Sequence, residues 1–74
     1  MKLIIESTSK IVELNGVPAR IWEGETESGI KVHCFITRVA IDQDETRTEE
    51  FEQELRAQKA PSRALEVYDF RLIL

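Results

Sequence analysis

KIVELNGVPARIWE, residues 10–23, sets two β-prone runs on either side of Asn15-Gly16. A type I′ turn needs positive φ at both central positions, and Asn-Gly meets that need at the least steric cost, so the stretch reads as a β-hairpin. The turn also predicts a register: Leu14 opposite Val17, Val12 opposite Ala19, and Lys10 opposite Ile21. Side chains alternate across a strand. One face then collects Val12, Leu14, Val17, Ala19 and Ile21, and the other takes Ile11, Glu13, Pro18, Arg20 and Trp22.

Working outward, GETESG (24–29) has two glycines around a polar middle and predicts a second, looser hairpin. IKVHCFITRVAI (30–41) is the longest β-prone run. If Glu23 pairs with Ile30, then Val32, Cys34 and Ile36 join the apolar face, which should receive a helix. Lys31, His33 and Phe35 join Arg20 and Trp22 on the opposite face. Val39 and Ile41 fall out of step with Ile36, which suggests a β-bulge near Thr37 and Arg38. Residues 2–6 form an extra strand.

DQDETRTEEFEQELRAQKAPS (42–62) changes character: helix formers dominate and β-branched residues other than Thr vanish. Thr46 with Glu49 fits a capping box, acidic residues crowd the first turns as the helix dipole favours, and Pro61 marks the stop. The predicted helix covers about 46–60 and carries a thin apolar stripe, Phe51 and Leu55 with Ala57 or Ala60. ALEVYDFRLIL (64–74) returns to β composition, with Leu65, Val67 and Ile73 on one side and Tyr68, Phe70, Leu72 and Leu74 on the other. The fold class is therefore α+β: an antiparallel meander of three to four strands, one helix and a final strand, 64–74, as a two-layer sandwich in a single domain, 1–74. So sparse a helix cannot cover that much apolar surface, and a second subunit is the simplest cover, which predicts a homodimer.

Composition narrows the function. A chain of 74 residues is near the lower limit for folding alone and buries about 60% of its unfolded surface. It is 42% hydrophobic and 32% charged, a globular balance. The net charge of −4 disfavours nucleic acid, which is held by Lys and Arg. The single cysteine calls for no oxidising compartment. MKLIIESTSK offers no secretory apolar core, and no stretch approaches a membrane span. The expectation is a cytoplasmic protein with no membrane partner.

His33 and Cys34 are the only histidine and cysteine, side by side. On a strand neighbours point to opposite faces, so they form no dyad, since a nucleophile needs its base within hydrogen-bond reach. Nor does His33 have the further N or S ligands that zinc requires. No glycine-rich phosphate loop or C-x-x-C occurs. The expectation is no catalytic residues, no metal and no cofactor.

Two features are candidates for partner binding. Arg20, Trp22, His33 and Phe35 on one face have the composition of an interface hot spot. Asp42, Asp44, Glu45, Glu49 and Glu50, continuing to Glu52 and Glu54, form an acidic array against one cation, Arg47. Such an array suits a basic groove on another protein, or it is a solvated helix face with a Glu52–Arg56 pair.

NGVPARIWEG, SGI and ITRVA, followed by an acidic helix and a proline before the last strand, resemble short bacteriophage and prophage proteins. The resemblance spans roughly residues 12–74 and carries no activity to transfer. It implies a small phage-type accessory protein that binds a host or phage protein, for instance an inhibitor of bacterial defence. A virion or assembly component is the alternative, and a third reading is a nucleotide signal held at a subunit interface by Arg20, His33 and Arg38.

Overall fold

The computed structural model describes residues 1–63. Three antiparallel strands, β1 (Leu3–Leu14), β2 (Val17–Thr26) and β3 (Lys31–Ile36), form a meander in the order β1-β2-β3, and one helix, α1 (Thr48–Arg56), follows. This is the small α+β architecture expected. The strand assigned to 64–74 lies outside the described residues.

The first hairpin forms as its turn residues dictate. Asn15 and Gly16 have φ of 51° and 81°, and Leu14 pairs with Val17 and Val12 with Ala19. Beyond Ile11 the expected register fails. Ile11 faces Arg20, but the next regular pair is Ser7 with Trp22, so β1 carries extra residues between them. The bulge lies here and not near Thr37, where β3 simply ends at Ile36. It also merges the expected strand 2–6 with the first hairpin strand into one long β1.

Thr8 is the reason the bulge is stable. Its side chain is fully buried, and its hydroxyl donates to the Ile21 carbonyl at 2.7 Å and accepts from the Lys10 amide at 3.3 Å. A side chain thus satisfies groups that the interrupted ladder leaves over. The outward-facing amide of Ser9 and carbonyl of Ser7 bond Lys59 at 3.0 Å each, so the segment after α1 runs as a short parallel strap along the β1 edge.

The second hairpin differs from expectation. β2 continues through Gly24 and Glu25 to Thr26, whose amide donates to the Ile30 carbonyl. The loop is therefore only 27–29, with Gly29 at a φ of 91°. Glu23 faces His33, not Ile30. An odd shift in register exchanges the faces of an entire strand. Phe35 and His33 consequently share the face of Ile21 and Glu23, while Cys34 and Ile36 share the face of Trp22 and Arg20.

Ala19 and Ile21 are the buried apolar side chains of the described residues. The helix does not cover their face. None of its own residues is buried, and its Leu55 comes to the opposite face, in the same cleft as Trp22. It is also shorter than expected. Arg47 is its N-cap without a side-chain bond, and the Glu45 carboxylate, not the Thr46 hydroxyl, accepts backbone amides here, those of Thr46 and Arg47. The helix ends at Arg56 and not at Pro61, because the backbone at Lys59 is extended and bonded to the edge of β1.

Candidate functional site

Two clefts of opposite charge each take part of their lining from α1. The first is lined by Ser7, Arg20, Trp22, Ile36, Thr37, Arg38, Val39 and Leu55 and encloses about 210 Å³. The bulge builds it. By displacing Thr8 from the ladder, it offers the Thr8 carbonyl to Arg20, whose Nη1 donates to it at 2.9 Å. The guanidinium is fixed over the β2 face, next to the half-buried Trp22 indole two residues along the strand. Among the described residues no carboxylate lines this cleft, and neither Arg20 nor Arg38 forms an ion pair.

The second cleft is lined by Ile41, Glu45, Arg47, Glu50, Phe51 and Glu54 and encloses about 290 Å³. Half-buried Ile41 and Phe51 give it an apolar floor, and carboxylates give it an acidic rim. A turn at 42–45 shapes its approach: the Asp42 carbonyl accepts from the Glu45 amide, and the Asp42 carboxylate from Asp44. Glu45 is tied to Arg47 at 2.8 Å, which holds its carboxyl below the usual value and raises the guanidinium. Glu50 and Glu54 are exposed.

The candidate residues are therefore sorted anew. Arg20 and Trp22 stay together, but His33 and Phe35 stand on the other side of the sheet, so the expected four-residue cluster does not exist. Its failure follows from the odd register shift alone. Asp42 and Asp44 are exposed in the turn, Glu45 is half-buried and paired, and Glu49 and Glu50 open the helix. Ser7 on the first cleft, and Ile41 and Phe51 on the second, join the site through tertiary placement. The one local signal for the first was the polar triplet Ser7-Thr8-Ser9 inside a β-prone run, a composition that favours side-chain bonding to the backbone.

His33 and Cys34 are neighbours on β3 and point to opposite faces. Among the described residues no group of three or more His, Cys, Asp and Glu is placed to hold a metal ion, and no helix is long and apolar enough to cross a membrane. No protein-family model matches the chain, and neither a curated protein nor a solved structure matches it.

Proposed function

We propose that this chain is a non-catalytic interaction protein that docks a basic surface of a protein partner into the acidic cleft on α1. The observation that carries the reading is the cleft's build: half-buried Phe51 and Ile41 lie with exposed Glu50 and Glu54, while the one cation in the lining, Arg47, is paired with Glu45. A partner lysine or arginine would lay its methylene stem on Phe51 and its charge against the rim. None of the residues of α1 is buried, and Glu50 and Glu54 are exposed, so its acidic face is open to another molecule. Acidic complementarity of this kind raises association rate and selects partners. That the partner is a host or phage protein, and that docking inhibits a bacterial defence, rests on the sequence resemblance.

The test is affinity capture from bacterial lysate with the native chain, the double variant Glu50→Lys, Glu54→Lys, and Glu13→Lys as a remote charge control. A specific partner should be retained by the native chain and Glu13→Lys and lost by the double variant. Equal capture by all three, with circular dichroism unchanged, ends the reading.

A further inference from the structure

The Arg20 cleft has no part in that docking surface, and its chemistry points elsewhere. The chain is acidic overall, at −4; among the described residues Lys31 pairs with Glu25, Arg47 with Glu45 and Lys59 with Glu23, while Arg20 and Arg38 form no ion pair. Arg20 and Arg38 are brought to one cleft without a carboxylate among its described walls. Arg20 spends one N–H on the Thr8 carbonyl, which fixes the plane of its fork. A fixed guanidinium is suited to paired hydrogen bonds with phosphate or carboxylate oxygens. Thr37 adds an exposed hydroxyl at the same rim, and the Trp22 indole gives a flat π surface between apolar walls from Ile36, Val39 and Leu55. Aromatic faces with neighbouring arginine bind nucleobases without demanding a particular base.

The size selects among anions. At about 210 Å³, below the roughly 300–1,000 Å³ of enclosing drug-sized sites, the open cleft has room for part of a single nucleotide and not for several linked ones. The negative net charge opposes a polynucleotide chain. We infer that the cleft binds a nucleoside monophosphate, with its phosphate on Arg20 and Arg38 and its base against Trp22.

Trp22 is the only tryptophan, so its own emission reports the site. Titration with AMP, and separately GMP, should quench it saturably with a dissociation constant of roughly 10 μM to 1 mM. Adenosine and inorganic phosphate should each bind at least tenfold more weakly. Arg38→Ala, at an exposed position, should weaken AMP at least tenfold with unchanged circular dichroism, and Glu13→Lys should leave it unaltered. The proposal is overturned by no saturable response to either nucleotide, by undiminished binding in Arg38→Ala, or by phosphate alone binding as tightly as AMP. A glutamate-rich peptide that quenches Trp22 through Arg38 where AMP does not would also overturn it, assigning the cleft to an acidic protein segment.

Discussion

Trp22 stands directly across the β2–β3 ladder from Cys34. Directly opposed residues on antiparallel strands project to the same face, about 4.5–5.5 Å apart at Cβ. A nitroxide attached to Cys34 should therefore quench Trp22 emission strongly. In the double variant His33→Cys, Cys34→Ser the same label sits on the other face and should quench far less. Equal quenching from both positions would refute the observed register.

Glu23 fastens the strap after α1 to the sheet. Burial pushes its carboxyl up, but the Ser62 amide at 2.8 Å and Lys59 at 3.4 Å outweigh burial and hold it below its ordinary value. The amide bond is the main contributor, because half-exposed ion pairs such as that with Lys59 contribute little. A depressed folded value means stability that is present above the unfolded value of 4.5 and lost as pH falls through the folded one. Glu23→Gln should cost about 1–3 kcal/mol near neutrality. The difference from the native chain in urea unfolding should shrink below pH 4.5.

Gly24 and Gly16 are glycines for different reasons. A Cβ at Gly24 would run into the Ile4 carbonyl oxygen and the Ile5 Cα on β1, whereas at Gly16 it meets open space and only the φ of +81° resists it. Backbone cannot give way as a flexible side chain can. Gly24→Ala should cost about 3 kcal/mol or more, at the upper end of overpacking, and Gly16→Ala about 1–2 kcal/mol. Denaturant midpoints should rank them in that order.

Thr8 is buried for its hydroxyl as much as for its methyl group. Thr8→Val keeps the shape but removes the donor to the Ile21 carbonyl and the acceptor for the Lys10 amide. A loss of about 1–3 kcal/mol is expected. Because the bulge also presents the Thr8 carbonyl to Arg20, the folded variant should bind AMP more weakly than the native chain. Unaltered stability would remove Thr8 as the cause of the bulge.

Helix α1 should be the least protected of the four described elements, since none of its residues is buried. Its amides should exchange with solvent faster than those of Ile21 and Glu23 by about a hundredfold or more, as expected where little apolar contact opposes local opening. Comparable protection at Phe51 and Ile21 would show that the helix is held more firmly than its burial implies.

Local chemistry made much of this legible. Asn15-Gly16 fixed the first turn and the pairs beside it, because positive φ at two successive residues is open to few residue types. The shift from β-branched residues to helix formers after Ile41 located α1. The second hairpin was not legible in the same way. GETESG is compatible with loops of several lengths, and Thr26 selects the short one by bonding Ile30 and Ser28 through its hydroxyl.

By itself, then, the sequence determined an α+β chain with an Asn-Gly hairpin, an acidic helix, and a histidine parted from its neighbouring thiol by strand alternation. Tertiary structure decided which face each residue of β3 takes, where the ladder bulges, and on which side the helix lies. The physical reason is that alternation has a period of two, so an odd change in loop length inverts a strand while leaving every local propensity satisfied. Only pairing across the sheet, and the strap that bonds Ser7 and Ser9 through Lys59, chose among those outcomes, and with them set Arg20 and Trp22 apart from His33 and Phe35.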